Sequence, residues 1–185
     1  MVATLAMAVA SAWACAEPPD KEMHQAQGAI DAARAAGAER YAPAELEAAT
    51  TALARSAEAV AARDYRLALS QALEASNNAQ GAARAAADQK ALVRSETDRA
   101  LENIEATLVT ARDRLKTARA VRAAAAPATA LDAVVTAATE AVQEARSALD
   151  RGDYLGARDR LAGVNDRLAA SIAELDAAIG PRRRR

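Results

Sequence analysis

From Tyr65 to Ala126 the chain contains no proline and one glycine, and it consists mostly of Ala, Leu, Arg, Glu and Gln. Those are the residues that lose least on entering a helix. A helix over the whole stretch, about 60 residues at about 1.5 Å each, predicts a rod of roughly 90 Å, well beyond an ordinary globular helix. The shorter segments on either side are then expected to pack against its two ends.

Alanine accounts for 58 of the 185 residues, phenylalanine is absent, and aromatics make up 2% of the chain. Burying an alanine methyl contributes about 0.8 kcal/mol, against about 1.5–3 kcal/mol for a leucine or isoleucine, so each core layer is thin. The expectation is an all-α, elongated antiparallel helical bundle or coiled coil. No segment shows the alternation and β-branched enrichment of a strand. Four of the 24 basic residues are Arg182, Arg183, Arg184 and Arg185, which leaves 20 basic against 25 acidic in the body. An acidic body without a basic stripe and interleaved aromatics argues against nucleic-acid binding.

Val2 to Ala14 is an apolar run of small residues, shorter than the ~20 needed to span a bilayer, and it reads as the apolar core of a signal peptide. No Lys or Arg precedes it. The run ends in Ser11-Ala12-Trp13-Ala14-Cys15-Ala16, where Ala12-x-Ala14 suits an ordinary signal peptidase. The sole cysteine follows at once. This junction resembles a bacterial lipobox, which implies lipidation of Cys15 and membrane attachment through the lipid; Ala16 after it implies sorting to the outer membrane. Cleavage to a soluble periplasmic form is the alternative, and an uncleaved or misassigned start the third. A lone cysteine rules out a disulfide framework within the chain.

Pro18-Pro19 forms a stiff spacer, and Asp20 is expected to cap a first helix running to about Ala36, ended by Gly37. Tyr41-Ala42-Pro43 opens a second helix, and Arg63-Asp64-Tyr65 reverses the chain into the long stretch. Pro127 is expected to break the rod. Leu131, Val135, Ala138, Val142, Ala145 and Leu149 then form one apolar seam, and Tyr154, Ala157, Leu161, Val164, Leu168, Ile172, Leu175 and Ile179 a last one, ended by Gly180-Pro181.

Arg151-Gly152-Asp153-Tyr154 repeats the reversal at Asp64-Tyr65, at an offset of 89 residues. In that register Ala72, Ala75, Ala79, Ala83 and Ala86 stand where the second copy has Leu161, Val164, Leu168, Ile172 and Leu175, so the first hairpin is expected to pack its helices more closely. The duplication predicts two three-helix units sharing the long central helix. Residues 1–15 would be the signal segment and 16–19 the spacer, with residues 20–95 the first unit, 96–180 the second and 181–185 the basic tail. Ser76-Asn77-Asn78 and Gly81 mark the expected weak point of the rod.

Gly37-Ala38-Glu39-Arg40-Tyr41-Ala42-Pro43-Ala44-Glu45-Leu46-Glu47-Ala48-Ala49, followed by Ala62-Arg63-Asp64-Tyr65-Arg66-Leu67-Ala68-Leu69, resembles a bacterial helical domain of unknown function. That family follows lipoprotein signals and in some members precedes an OmpA-like domain. The resemblance covers roughly Glu17 to Ala91. It implies a helical-hairpin fold in an envelope lipoprotein, and it carries no activity. Over this sequence, the expectation is a stand-alone member with an extra helical unit.

Reactive constellations are scarce. His24 is the only histidine, which excludes a multi-histidine metal site and a Ser-His-Asp triad within one chain, and it is expected to lie solvated on the first helix. Glu102 with Glu105, and Glu140 with Glu144, are expected as solvated helix carboxylates; Arg84 with Asp88 and Arg94 with Asp98 as i,i+4 pairs. Tyr41, Tyr65 and Tyr154 are expected to pack at turns. The reading is a non-enzymatic envelope lipoprotein with a structural or adaptor role, without cofactor, metal or small-molecule substrate. It would extend a helical rod into the periplasm and could meet an anionic surface through Arg182 to Arg185. The alternative is a soluble periplasmic helix-binding module or chaperone.

Overall fold

A computed structural model describes residues 17–121 and 125–180, and every regular element among them is an α-helix. In chain order these are α1 (Asp20–Ala35), α2 (Ala38–Tyr41), α3 (Pro43–Ala61), α4 (Tyr65–Val121), α5 (Ala125–Asp150), α6 (Tyr154–Leu161) and α7 (Val164–Ile179). The all-helical expectation holds, and the long proline-free stretch is one 57-residue helix from Tyr65 to Val121, with Ala125 and Ala126 at its far end already in the next helix. The chain divides into two compact units, Met1–Ala87 and Asp88–Arg185. The first part of α4 therefore serves one unit and its remainder the other.

In the first unit, α1 contributes Ala26, Ile30 and Ala33, α3 contributes Leu46, Ala49 and Ala52, and α4 contributes Ala75, Ala79, Ala82 and Ala86, all buried. These residues recur at steps of three and four, so each helix turns one narrow stripe inward. Side chains this small let backbones approach closely. The buried Ser56 hydroxyl of α3 donates 2.8 Å to the carbonyl oxygen of Ala68 on α4, a contact that requires such an approach. The second unit is built on larger side chains: Leu101, Ile104, Leu108 and Leu115 of α4 meet Leu131, Val135 and Val142 of α5 and Leu161, Val164, Leu168 and Leu175 of α6 and α7.

The duplication is visible in the hydrogen bonds of the two reversals. At the end of α3 the Arg63 amide donates to Val60 O and the Asp64 amide to Ala59 O, each at 2.9 Å. At the end of α5 the Gly152 amide donates to Leu149 O and the Asp153 amide to Ala148 O, again at 2.9 Å. Both are Schellman closures, in which a left-handed residue lets two successive amides turn back onto the last carbonyls. The left-handed residues are Arg63 (φ 58°) and Gly152 (φ 75°). The next residue starts the following helix: Asp64 Oδ1 accepts from the Leu67 amide at 2.9 Å, and Asp153 Oδ1 from the Gly156 amide at 3.3 Å. One aspartate thus ends one helix and caps the next.

Four local expectations need correction. Asp20 is the first residue of α1 and not its cap; Pro19 occupies the cap position, and no side chain bonds the free amides there. Gly37, in the left-handed region at φ 91°, ends α1 as expected but is followed by the separate turn α2 before Pro43 opens α3. Pro127 lies inside α5, beyond the end of α4, rather than at the break itself. It is the third residue of α5, in the first turn, where a helix has no amide bond for proline to remove. The last helix is two helices, because Gly163 adopts φ 68° between Leu161 and Val164. Helical structure is continuous through Ser76-Asn77-Asn78 and Gly81.

Candidate functional site

The described surface carries one geometry twice. In the first unit, antiparallel α1 and α3 leave between them a groove of about 550 Å³, lined by Asp20, Met23, His24, Gln27, Ile30 and Arg34 on one wall and Thr50, Leu53, Ala54 and Ala57 on the other. In the second unit, α4 and α5 leave a groove of about 330 Å³, lined by Glu105, Leu108, Val109, Arg112, Thr139, Val142, Gln143 and Arg146.

Every residue lining the second groove has its counterpart in the first. Along α3 and α5 the offset is the same 89 residues, pairing Thr50 with Thr139, Leu53 with Val142, Ala54 with Gln143 and Ala57 with Arg146. Along α1 and α4 the offset is 85, pairing Asp20 with Glu105, Met23 with Leu108, His24 with Val109 and Gln27 with Arg112. The same shift superposes buried Ala26, Ile30 and Ala33 on buried Ala111, Leu115 and Ala118. The link between the first two helices of the repeat is therefore four residues longer in the second unit.

The two grooves keep the same apolar floor and differ at the rim. Arg146 of α5 forms an ion pair with Glu105 of α4, and Arg112 reaches Thr139 Oγ1 at 3.3 Å, so two side chains bridge the second groove from wall to wall. In the first groove the arginine position is Ala57 and its carboxylate partner is Asp20, which meets no cation among the described residues. Gln27 and Thr50 take the places of the second bridge. Truncation of the rim leaves the first groove wider, with an exposed carboxylate at one end. At the other end Arg34 is engaged by Asp31 at 3.1 Å and Glu39 at 3.6 Å.

His24 is exposed on the rim one helical turn from Asp20, as a solvated helix residue should be. Glu102 and Glu140 are exposed. Glu105 and Glu144 also reach solvent, and each is in addition engaged from another helix, Glu105 by Arg146 and Glu144 by Arg160 at 3.5 Å. Arg94 and Asp98 pair at 3.9 Å, whereas Arg84 and Asp88 make no pair. Tyr154 is half-buried beneath the Arg94 guanidinium, 6.0 Å from its ring centre, and Tyr41 packs against the first unit's core. Cys15 and Arg182 to Arg185 lie outside the described residues. Among the described residues no three His, Cys, Asp or Glu side chains are placed to hold a metal ion, and no helix is long and apolar enough to cross a membrane.

The equivalence of the grooves was not read from the sequence. Its signal was available in the stripes Ala26-Ile30-Ala33 and Ala111-Leu115-Ala118, which align only when an offset of 85 is tried beside that of 89. No protein-family model matches the chain, and no curated protein or solved structure matches it either.

Proposed function

We propose that the chain is a non-enzymatic lipoprotein of the bacterial cell envelope, attached to a membrane through acyl chains on Cys15 and acting as a structural or adaptor protein. One observation carries the reading: an apolar run of small residues, Val2 to Ala14, delivered directly to the only cysteine of the chain. The resemblance of Glu17 to Ala91 to a helical domain that follows lipoprotein signals supports the same placement. The grooves support an adaptor role, since they are shallow helix-lined surfaces with polar rims suited to holding another chain. The basic tail Arg182 to Arg185 supplies a contact for an anionic surface on the partner.

Fractionation of cells expressing the wild-type chain and Cys15→Ser tests the anchor. The wild-type protein is expected in the membrane fraction, with the acyl mass on its N-terminal peptide, and Cys15→Ser in the soluble fraction or as uncleaved precursor without acyl mass. A wild-type N-terminal peptide without acyl mass would reject lipidation and favour the soluble periplasmic module, for which the open first groove is the binding feature.

A further inference from the structure

The second unit bridges the rim of its groove with its own side chains, and the first does not. Where Glu105 pairs with the guanidinium of Arg146 across the groove, the equivalent positions in the first unit are Asp20 and Ala57. The first groove lacks the cation but has a carboxylate and apolar side chains, Met23 and Leu53, at the positions of Glu105, Leu108 and Val142. The first groove is thus shaped for an arginine side chain that the first unit does not supply. The second unit also joins its helices through Arg114 with Asp176 at 3.4 Å, Arg119 with Asp132 at 3.2 Å and Arg160 with Glu144 at 3.5 Å, while in the first unit Arg34 of α1 meets Glu39 of α2 at 3.6 Å.

The chain carries a run of arginines beyond its described residues. Five residues follow Gly180, four of them arginine. At about 3.4 Å per residue they reach roughly 17 Å, enough to enter a groove while α7 stays packed on its own unit. The side-chain type is the one that closes the equivalent groove, and its charge complements the acidic end of the open one. Guanidinium on carboxylate is also the pairing that the planar fork of arginine fits best.

We propose that the open groove between α1 and α3 receives the arginine tail, residues 181–185, of a second copy of the chain, with one guanidinium beside Asp20 in the place that Arg146 takes beside Glu105. Tail and groove are different surfaces, so the contact is heterologous and copies add head to tail. A single exposed pair is weak, and assembly gains from concentration where the copies share a surface. The inference gives a partner to the adaptor role and rests on that reading only in treating the tail as a contact element; anchoring through Cys15 is tested separately by fractionation.

Disulfide trapping in the full chain decides it. Cys15→Ser removes the native thiol, and Ala57→Cys with Arg183→Cys then places one thiol on the groove rim and one in the tail. Mild oxidation at micromolar concentration is expected to give covalent dimers and longer ladders on a non-reducing gel. Thr51→Cys, exposed on α3 and outside the groove lining, should give few when paired with the same tail cysteine. Adding Asp20→Asn should lower the trapped fraction by about 1.4- to fivefold, the span that an exposed ion pair carries. Circular dichroism should show the helical content of every variant unchanged. Trapping confined to single chains, or equal with Thr51→Cys, or indifferent to Asp20→Asn, would overturn the proposal and leave the lipidation result untouched.

Discussion

Arg63 and Gly152 stand at the same place in their hairpins, but only one of them is a glycine. Both hold positive φ, at 58° and 75°, and both donate the amide that closes the preceding helix. A side chain in the left-handed region brings Cβ against the following carbonyl and costs about 1–2 kcal/mol, from which glycine is exempt. Arg63→Gly is therefore expected to stabilise the first unit by about 1 kcal/mol, the steric relief being partly offset by the freer unfolded chain. Gly152→Ala is expected to destabilise the second unit by about 1 kcal/mol, although open space surrounds the position a Cβ would take. Urea titrations followed by circular dichroism would read both. A rise in midpoint for Gly152→Ala would show that the turn tolerates a side chain, and the argument from φ would fail.

Ala79 of α4 and Leu168 of α7 are equivalent under the 89-residue offset and are both fully buried, yet their side chains differ by three carbon atoms. The Ser56 hydroxyl reaches the Ala68 carbonyl at 2.8 Å, so α3 and α4 approach closely beside their reversal. Leu168→Ala should cost about 2–5 kcal/mol through the cavity it leaves, and Ala79→Leu about 1–3 kcal/mol or more through overpacking. Thermal melts of the two variants check this; if Ala79→Leu raised the melting temperature, the first hairpin would have room to spare and the close-packing argument would be wrong. The helices themselves were legible in the sequence because apolar residues recur at three and four over long proline-free runs. The break between α6 and α7 was not, because Leu161, Val164 and Leu168 keep that same spacing across it, and it lies in the backbone of Ala162 (ψ 123°) and Gly163 (φ 68°). Asp20 looked like a cap because aspartate after proline often is one, but Pro19 holds that position. Of the sites named from sequence, Cys15 and the tail lie outside the described residues. The grooves escaped because they depend on two offsets at once, one for the hairpin and another for the helix that precedes it.

Across the whole molecule the two units share a plan and differ in what fills it. Among the described residues the first unit buries only two aliphatic side chains larger than alanine, Ile30 and Leu46, while the second buries Leu101, Ile104, Leu108, Leu115, Leu131, Leu161, Leu168 and Leu175 together with several valines. At about 0.8 kcal/mol for a buried alanine methyl against about 1.5–3 kcal/mol for a leucine, the second unit has much the larger favourable term for a similar length of chain to order. The ion pairs that join neighbouring helices of the second unit add at most about 1 kcal/mol each, because they are exposed, and they act in the same direction. Helical hydrogen bonds protect amides throughout α4, so what separates its two parts is the free energy of opening the unit each belongs to. Hydrogen exchange read by mass spectrometry should therefore show amides between Ala72 and Ala86 exchanging at least about tenfold faster than those between Ile104 and Leu115, a difference of about 1.4 kcal/mol in opening. Equal protection along α4 would mean that the helix opens as one piece, and that its length overrides the difference between an alanine core and a leucine core. Faster exchange in the first part, reduced by Arg63→Gly but not by substitutions in the second unit, would assign the weakness to the alanine-lined unit itself.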